Sequence, residues 1–548
     1  MKRIVIVGGV AGGMSAATRL RRLDESAEII VIEKSGFVSY ANCGLPYYVG
    51  GVIEEEKSLL LQTPESLHAR FRLDVRVRTE VLKIDPVRRS VLLKDLNSGQ
   101  DSEVTYDALV LSPGASPIVP PISGVERALT LRTVEDVARI VDQVSKKPQS
   151  AAVIGGGFIG VEIAENLIHR GIKTSMIEAS DQVLAPLDPE MASLVAREIR
   201  ANGVELYLGA SAVKIDESTV EISSGEVVAA DLVIMAIGVR PDIHLAQDAG
   251  LEIGPRKGIK VDEFNLTSDK SIYAIGDVAE KTDSLDGSST LVPLANIANR
   301  HGRIVADHIA GRKIRPVKTI GTAIVKVFDL MIATTGWNEK KLKATSRAYR
   351  VIHAHPNSHA GYYPDAKQMT LKLIFDPLNG EILGAQGVGV DGVDKRLDVI
   401  STAIRGGIKA QELADLELAY APPFGSAKDP VNMLGYIAEN VISGLVETAQ
   451  WDQIEDYRAK GYELVDVRTQ GEFDRGTIPG AINVPVDEIR ERAQEFQGKN
   501  LLVTCQVGQR GHTASLLLKS LGFNPVNLDG GYLLWSNSPA AKEFVQKK

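Results

Sequence analysis

The chain has 548 residues, of which 44% are hydrophobic and 24% charged, and it contains 50 glycines and two cysteines. This length is enough for roughly three to four domains. A net charge of -8 excludes an electrostatic footprint for nucleic acid or an anionic membrane. No apolar run approaches the roughly 18 to 20 residues of a membrane span, and few cysteines favour a reducing compartment, so we expect a cytoplasmic protein.

The chain begins with a predicted strand, a glycine turn and a helix. A β-branched run over residues 4–7 leads into Gly8, Gly12 and Gly13, and a helix is predicted from Met14 to Leu23. Glycines let the backbone approach a pyrophosphate, and a helix N-terminus favours the anion. Glu33 ends the next apolar run, where a carboxylate can accept from ribose hydroxyls, and Lys34 follows it. Val10 replaces the middle glycine of the usual motif.

Cys43 follows in the segment 39–48 and has no second cysteine near it, because the other cysteine is Cys505. An oxidised Cys43 must therefore be a sulfenic acid, a mixed disulfide with a small thiol, or a persulfide. An inert buried thiol is the alternative for any single cysteine. The sequence thus predicts sulfur chemistry without a local dithiol.

A second strand, glycine turn and helix begins at Ala151. Gly155, Gly157 and Gly160 match the full G-x-G-x-x-G motif, and Glu178 closes the unit. Two nucleotide turns imply two cofactors. Ala179 and Ser180 stand where an arginine for a 2′-phosphate would lie, so we expect NADH to be preferred over NADPH.

Further motifs follow in order. Residues 106–115, 131–133, 236–241 and 267–277 include Pro113, Gly114, Arg132, Gly238 and Asp277. Together with the two turns, this series resembles the two-dinucleotide-domain flavoprotein disulfide reductases over residues 1 to about 445. The resemblance implies FAD at the first turn and the nicotinamide cofactor at the second. It also implies cofactor contacts from these five residues and from Ala295.

The segment around Cys43 is similar to the single-cysteine motif of coenzyme A disulfide reductases and their persulfide-reducing relatives. The resemblance implies a mixed disulfide between Cys43 and CoA. It also implies CoA contacts from Ser15, Arg19, Arg22, Ser39, Asn42, Asn299 and Lys428. Arg19 and Arg22 share a helix face at i, i+3, although a solvated basic face is the plainer interpretation of that pair. Ala11 stands where peroxidase and oxidase relatives commonly carry a histidine.

Residues 321–445 resemble the dimerisation domain of the same family. The resemblance implies a homodimer in which Tyr362 and Tyr420 reach the partner subunit's active site. A phenol there could hydrogen-bond or protonate a leaving thiolate, whereas a core tyrosine is the alternative interpretation.

After a short polar join at 446–450, a separate α/β unit is predicted. Cys505 ends an apolar strand and heads a loop that reaches Arg510 and a helix beginning at Gly511. Such a loop favours a thiolate or persulfide anion. It is similar to the active-site loop of the rhodanese family, whose framing motifs Asp466, Arg468, Gly530, Gly531 and Trp535 match. The resemblance implies that Cys505 carries sulfane sulfur and that Arg510 helps to hold the anion.

Cysteine phosphatases have a similar loop, but their cysteine and arginine normally enclose five residues, whereas Cys505 and Arg510 enclose four. Sulfur transfer is therefore favoured over phosphate hydrolysis. An inactive rhodanese-like regulatory module is a further alternative.

The predicted fold class is α/β: two Rossmann-like dinucleotide-binding domains, an α+β dimerisation domain and a C-terminal α/β rhodanese domain. The predicted boundaries are 1–117 with 244–320 for FAD, 118–243 for NAD(P)H, 321–445 for dimerisation and 452–548 for the rhodanese domain. No metal site is predicted, because the nine histidines show no paired ligand spacing.

The predicted function is an FAD- and CoA-dependent NADH:persulfide or polysulfide reductase that releases hydrosulfide and also reduces CoA disulfide. In this hypothesis Cys505 loads sulfane sulfur or passes it toward Cys43. The main alternative is a CoA disulfide reductase with an accessory rhodanese domain. An NADH oxidase or peroxidase ranks third, because of Ala11, and a redox-sensing flavoprotein with little turnover is the alternative from another class.

Overall fold

The computed structural model describes residues 2–541. They divide into two compact units: one holds the residues up to Asp181 together with Gly203–Ile320, and the other holds Gln182–Asn202 and the residues from Gly321 on. Met1 and residues 542–548, parts of the predicted first and last domains, lie outside the described residues. The four predicted domains are finer than this division, and their boundaries stay predictions.

The first unit contains a five-stranded parallel sheet built on the amino-terminal strand. In spatial order the strands are Ile272–Ala274, Ala108–Leu111, Arg3–Val7, Glu28–Ile32 and Asp74–Arg76. Most of these residues are apolar and buried, as is typical of a parallel sheet covered on both faces. The helix Ala11–Leu23, which begins three residues before the predicted start, packs against the helix Ala295–Ile309.

A second five-stranded parallel sheet holds the second glycine turn. Its strands in spatial order are Glu205–Leu208, Lys173–Glu178, Ser150–Ile154, Leu232–Met235 and Leu129–Thr130. The helix Phe158–His169 follows its central strand. The two sheets have the strand, turn and helix order that the sequence predicts for each nucleotide site.

Smaller elements complete the first unit. Two antiparallel sheets have three strands each: Thr79–Asp85, Ser90–Asp95 and Asp101–Thr105, and Ala212–Ile215, Thr219–Ile222 and Val227–Ala229. Two strand pairs are Ala115–Pro117 with Val239–Pro241 and Lys281–Thr282 with Ser289–Thr290. The other helices are Leu45–Gly50, Pro64–Phe71, Val134–Ser145 and His244–Asp248.

The second unit contains a five-stranded antiparallel sheet. Its strands in spatial order are Ala323–Val327, Leu330–Gly336, Ile382–Gly389, Met369–Phe375 and Arg350–Ala354. Helices of this part are Pro189–Ala201, Glu339–Lys343, Val393–Gly406 and Pro430–Ile442. Asp429 caps the last of these with a reciprocal capping box to Asn432, which satisfies two helix-terminal amides.

A parallel sheet forms the carboxyl-terminal part of the second unit. Its strands in spatial order are Glu447–Ala449, Pro525–Leu528, Asn500–Thr504, Tyr462–Asp466 and Ile482–Asn483. Its helices are Ile454–Ala459, Gln470–Asp474, Ile489–Arg492, Gln509–Ser520 and Gly531–Asn537.

The segment predicted as a polar join therefore contains an edge strand, Glu447–Ala449. Of its three residues only Ala449 is buried, so the sequence carries little strand signal, and pairing with Pro525–Leu528 decides the conformation. None of the helices in residues 2–541 combines the length and apolar character needed to cross a bilayer.

Candidate functional site

The first glycine turn bends tightly at the end of the strand Arg3–Val7. Gly8 has a φ of +97°, and a Cβ there would lie 2.1 Å from the carbonyl oxygen of Ser112. A Cβ on Gly13 would lie 1.9 Å from the carbonyl oxygen of Gly8. Only glycine fits both positions. A strand, a glycine-rich turn and a helix start together fit the pyrophosphate of a dinucleotide.

Glu33 lies against this turn. Its carboxylate accepts hydrogen bonds from the amides of Gly9 at 2.7 Å and Ser35 at 2.8 Å. Burial raises the pKa of Glu33, and the two amide donors oppose that rise. Lys34, by contrast, is exposed and forms an ion pair with Glu80. The structure thus brings Glu33 to the predicted site, whereas Lys34 lies on the surface.

Arg132 lies beside the predicted residues Pro113 and Gly114. Its guanidinium donates to the carbonyl oxygen of Pro113 and, at 3.0 Å, to Ser116 Oγ. Gly114 has a φ of +80°, and a Cβ there would lie 3.1 Å from Arg132 Nη2. Ala295 begins the helix Ala295–Ile309 of the same unit.

The loop after the strand Ile272–Ala274 places Asp277 near a buried cation that the sequence analysis missed. Burial raises the pKa of Asp277, while the charges of Lys281 and Arg132 lower it. Lys281 Nζ donates to the carbonyl oxygens of Gly276 at 2.6 Å and Ala279 at 2.8 Å. Burial lowers the pKa of Lys281 to about 8. Its position four residues after Asp277 is the only signal of it in the sequence.

The second glycine turn repeats the geometry of the first. Gly155 has a φ of +111°, and its Cβ would lie 2.4 Å from the carbonyl oxygen of Ala236. A Cβ on Gly160 would lie 1.9 Å from the carbonyl oxygen of Gly155. Gly157 precedes the helix Phe158–His169 in extended backbone.

Glu178 holds the same place at this turn that Glu33 holds at the first. It accepts from the amides of Gly156 at 2.6 Å and Ser180 at 2.8 Å. Gly238, with a φ of +121°, follows the strand Leu232–Met235. The repeated pair of turn and carboxylate fits a second dinucleotide.

Cys43 is an exposed free thiol. It lies in a short 3-10 helix, Asn42–Gly44, just before the helix Leu45–Gly50. That helix packs against the helix Phe158–His169. Although the residue is exposed, nearby atoms keep part of the solvent from the sulfur. This desolvation raises the pKa of the Cys43 thiol, and the negative charges of Glu162 and Asp277 raise it further.

Glu162 is the titratable neighbour that the sequence analysis missed. Its Oε1 accepts from Tyr47 Oη at 3.4 Å, and burial raises the pKa of Glu162 to about 7. Burial and the charge of Glu162 raise the pKa of Tyr47 to about 12. A group poised near neutral pH beside a reactive sulfur can exchange protons. Its sequence signal is its place two residues after Gly160, in the helix that packs on the Cys43 segment.

The structure places four of the predicted CoA residues on two adjacent helices. Ser15 Oγ donates to Asn299 Oδ1 at 2.8 Å, and Arg19 lies 2.8 Å from Asp307 in an ion pair. Arg22 is exposed on the same helix as Arg19. The carboxylate of Asp307, which the sequence analysis did not consider, therefore offsets part of the positive charge.

The other predicted CoA residues lie in two places. Ser39 adopts a φ of +49° in the Cys43 segment, and Asn42 is exposed beside Cys43. Lys428 is exposed in the second unit.

Tyr362 and Tyr420 meet on the surface of the second unit. Their hydroxyl oxygens are 2.8 Å apart, and the residues are 76% and 46% exposed. The hydrogen bond between the two hydroxyls raises the pKa of Tyr420. Phe424, in the same unit, is 71% exposed. Both tyrosines are thus surface groups, and the alternative that either is a core residue is wrong for the protomer.

Cys505 is buried where the strand Asn500–Thr504 ends, and the amide of Gly508 donates to its Sγ at 3.2 Å. The following helix begins at Gln509, two residues before the predicted start, so Arg510 lies in its first turn. A Cβ on Gly531 would lie 2.4 Å from the carbonyl oxygen of Cys505. That carbonyl accepts from the amide of Tyr532 at 2.7 Å. The Gly530-Gly531 turn therefore fixes the backbone of the cysteine loop.

Two of the framing residues, Asp466 and Arg468, form a buried ion pair beside this loop. Arg468 Nη2 lies 2.6 Å from Asp466 Oδ2, and Arg468 Nη1 donates to Gln506 Oε1 at 3.3 Å. The ring of Tyr532 lies 4.2 Å from the Arg468 guanidinium. Trp535 is buried in the core of this part.

Arg510, predicted to hold an anion, is engaged by a carboxylate that the sequence analysis missed. Its Nη1 and Nη2 donate to Glu472 Oε2 at 2.7 Å and Oε1 at 2.6 Å. This bond lowers the pKa of Glu472 to about 2, so the carboxylate is charged at neutral pH. Glu472 and Arg510 are 38 residues apart in the sequence, and no local motif predicts that they pair.

A buried cluster of charges lies elsewhere in the second unit. Asp188, Glu190 and Glu339 have carboxylate oxygens within 4.8 Å of one another, a spacing that could hold a metal ion. The ammonium of Lys372 lies among them, 2.8 Å from Asp188 and 2.6 Å from Glu339, and it also contacts Glu190. Lys372 thus supplies the positive charge at this position.

Three family models match the chain. They are the pyridine nucleotide-disulphide oxidoreductases over residues 2–302, the dimerisation domain of those oxidoreductases over 322–430, and the rhodanese-like domain over 448–538. Their order along the chain is the one that the sequence analysis expects. The predicted fold class is therefore confirmed.

Full-length relatives are also similar. Coenzyme A disulfide reductase of Staphylococcus aureus (strain JH9) is 35% identical over 442 residues, which are 80% of this chain and 100% of the relative. The crystal structure of reduced Bacillus anthracis CoADR-RHD is 48% identical with a TM-score of 0.96, and the match covers 98% of each chain. A NAD-dependent persulfide reductase from A. fulgidus is 37% identical with a TM-score of 0.92, covering 97% of this chain and 100% of that one.

Proposed function

Because the chain belongs to the pyridine nucleotide-disulphide oxidoreductase family, in the branch of the coenzyme A disulfide reductases, we propose that it is an FAD- and CoA-dependent NADH:persulfide reductase. Membership confirms the predicted enzyme class, an oxidoreductase acting on sulfur, and its use of FAD and a nicotinamide nucleotide. The proposed acceptors are CoA persulfide and polysulfide, with CoA disulfide as a further substrate. In the net reaction NADH, a proton and an organic persulfide give NAD⁺, a thiol and hydrogen sulfide.

The observation that carries this proposal is the position of Cys43. It is an exposed thiol, and it is the only cysteine of its unit. Without a neighbouring thiol it cannot form a local disulfide, and two of the oxidised forms that remain, a mixed disulfide and a persulfide, hold substrate sulfur directly. This supports a small-thiol substrate over a dithiol protein substrate.

The two glycine turns supply the sites for electron transfer. The first turn would hold FAD, which would supply two-electron chemistry there, taking a hydride from NADH and passing two electrons to oxidised Cys43. Gly8, Gly13 and the helix start that follows would hold its pyrophosphate, and Glu33 would accept from its ribose. Glu178 would bind the ribose of NADH and repel a 2′-phosphate, which supports NADH over NADPH.

The chemistry at Cys43 is a thiol–disulfide exchange. The Cys43 thiolate attacks the CoA-bound sulfur of CoA persulfide, the S–S bond breaks, and hydrosulfide leaves. Two electrons then reduce this mixed disulfide, and the products are the Cys43 thiolate and the CoA thiolate. Tyr47 and Glu162 would accept the proton of the Cys43 thiol and return it during the reaction.

Cys505 is proposed to load the sulfane sulfur. Its thiolate attacks the outer sulfur of a persulfide donor, the donor leaves as a thiolate, and Cys505 becomes a persulfide. A CoA thiol then takes this sulfur and becomes the CoA persulfide that Cys43 uses. The amide of Gly508, 3.2 Å from the sulfur, supports the anion. Because the loop keeps both the cysteine and an amide donor to its sulfur, we favour sulfur transfer over a rhodanese domain that is only accessory.

We also propose a cytoplasmic homodimer. The matched dimerisation domain and the exposed rings of Tyr362, Tyr420 and Phe424 support a partner that covers these rings. Both cysteines are free thiols, which fits a reducing compartment.

The test is anaerobic oxidation of NADH with CoA persulfide, with hydrosulfide release measured in the same sample. We expect one hydrosulfide for each NADH in the wild type. We expect loss of both signals in Cys43→Ser, with FAD still bound and visible by its absorbance. Cys505→Ser should keep the reaction with CoA persulfide and lose the reaction with persulfide donors that lack CoA. Full activity of Cys43→Ser would contradict the proposal.

A further inference from the structure

Arg510, in the first turn of the helix that follows Cys505, is the only positively charged residue between Cys505 and Gly511. Its two terminal nitrogens donate to the two oxygens of Glu472, at 2.7 and 2.6 Å. This two-bond geometry is the strongest pairing between these groups. An anionic substrate could bind Arg510 in the same way only by displacing Glu472.

Glu472 is itself held in place. Its Oε2 accepts from the amide of Thr469 at 3.1 Å and from the hydroxyl of Thr469 at 2.9 Å, because the two residues form a capping box on the helix Gln470–Asp474. The carboxylate that faces Arg510 is therefore preorganised. Moving it away would break the helix cap as well as the ion pair.

Neither Arg468 nor His512, two other basic side chains of this part of the unit, can replace Arg510 as a binding group for an anion. Arg468 is buried and bound by both oxygens of Asp466. Burial lowers the pKa of His512, which keeps its ring neutral at pH 7. The Gly508 amide is then the group that contacts the sulfur itself. Arg468 and Arg510 are thus each neutralised by one carboxylate, that of Asp466 and that of Glu472.

This charge balance treats sulfur donors differently. An organic persulfide brings one negative charge, on the sulfur that is transferred. Thiosulfate brings two, with sulfonate oxygens that need cationic hydrogen-bond donors at the loop. The carboxylate of Glu472 both repels the sulfonate and occupies the guanidinium that would bind it.

We propose that Glu472 is a specificity-determining residue that makes Cys505 select organic persulfides over oxyanion donors such as thiosulfate. The inference rests on the proposed sulfur-carrying role of Cys505. With either donor the Cys505 thiolate attacks the outer sulfur and becomes a persulfide. The bond that breaks releases sulfite from thiosulfate, or a thiolate from an organic persulfide.

The test compares sulfur transfer to cyanide from thiosulfate and from the persulfide of 2-mercaptoethanol, measured as thiocyanate. Glu472→Gln should raise kcat/KM for thiosulfate about tenfold relative to the persulfide, which corresponds to about 1.4 kcal/mol. Rising ionic strength should reduce this gain, because it is electrostatic.

Two control variants separate charge from structure. Glu472→Asp disturbs the same helix cap but keeps the negative charge, so we expect no gain with thiosulfate. Glu455→Gln removes a carboxylate from another Glu–Arg pair, with Arg458, in the same unit, and should leave the donor ratio unchanged. Equal donor ratios in wild type and Glu472→Gln, or an equal gain in Glu472→Asp, would overturn the inference.

The proposed function is tested separately on the same wild-type preparation. Hydrosulfide release from CoA persulfide reports on Cys43, whereas the donor ratio reports on Glu472. If neither donor transferred sulfur in the wild type or in Glu472→Gln, the inference and the sulfur-carrying role of Cys505 would both be contradicted.

Discussion

His353 Nδ1 lies 2.6 Å from Asp529 Oδ2, and the backbone amide of His353 donates to Asp529 Oδ1 at 3.1 Å. His353 belongs to the strand Arg350–Ala354, and Asp529 directly precedes the Gly530-Gly531 turn that contacts the carbonyl of Cys505. Both side chains are buried, and His353 Nε2 reaches Glu190 at 3.2 Å. A buried ion pair therefore ties the cysteine loop to the antiparallel sheet.

Breaking this pair should cost stability. Asp529→Asn leaves the positive charge of His353 with one carboxylate partner fewer, and removing one partner of a buried pair typically costs about 3–5 kcal/mol. We expect a clear fall in the thermal unfolding midpoint. The matched control Glu455→Gln, which removes an exposed carboxylate from its pair with Arg458, should cost less than about 1 kcal/mol. Similar small effects from both variants would contradict this account of the pair.

The same pair predicts a pH dependence of stability. Burial lowers the pKa of His353, but Asp529 and Glu190 together raise it from 6.5 to about 9. The folded protein thus holds this proton more tightly than the unfolded chain. The contribution to stability is complete below about pH 6.5 and is lost as the pH rises through about 9.

Urea unfolding of the wild type and His353→Gln at several pH values measures this effect. The difference in their free energies of unfolding should shrink between about pH 6.5 and about pH 9. A difference that is constant or grows with pH would show that His353 is not protonated in the folded protein.

Glu162 should control the reactivity of Cys43. Above about pH 7 its carboxylate is charged and raises the pKa of the thiol, so Glu162→Gln should shift thiolate formation to lower pH. The rate of alkylation by iodoacetamide against pH measures this, in a Cys505→Ser background so that only Cys43 reacts. Glu54→Gln, at an exposed carboxylate of the neighbouring segment, is the control and should leave the profile in place. An unchanged or upward-shifted profile in Glu162→Gln would remove Glu162 from the account.

Glu178 should set the choice of nicotinamide cofactor. In the wild type we expect kcat/KM with NADH to exceed that with NADPH by more than about tenfold, because the carboxylate repels the 2′-phosphate. Glu178→Gln removes that charge but keeps an amide oxygen for the ribose, so the ratio should narrow. Steady-state kinetics with both nucleotides measure it. A wild-type preference for NADPH would show that this interpretation of Glu178 is wrong.

Local motifs account for what the sequence could predict. Gly13 and Gly160 each lie against the carbonyl of a glycine five residues earlier in the same strand, turn and helix, and Glu33 reaches Gly9 from the next strand, so their spacing along the chain fixes their geometry. The Cys505 loop is equally local, since Gly508 is three residues from the sulfur that it contacts. Such short-range constraints are visible in one sequence.

The pairs that the sequence could not predict join distant segments. Glu190, His353 and Asp529 come together only after the sheet and the helices have packed, and each looks like an ordinary polar residue in its own segment. The same is true of Glu472 with Arg510. The strand Glu447–Ala449 was missed because its partner strand, Pro525–Leu528, is far along the chain.

The most direct test of the central claim is the ratio of kcat/KM for CoA persulfide to that for CoA disulfide, measured anaerobically with NADH as donor. The account predicts that the persulfide is preferred by more than about tenfold, with hydrosulfide released in proportion to NADH, because attack of Cys43 on CoA persulfide expels hydrosulfide, which is a less basic and better leaving group than the CoA thiolate. A preference for CoA disulfide by a similar factor would contradict it. The chain would then be a disulfide reductase whose Cys505 loop serves another reaction.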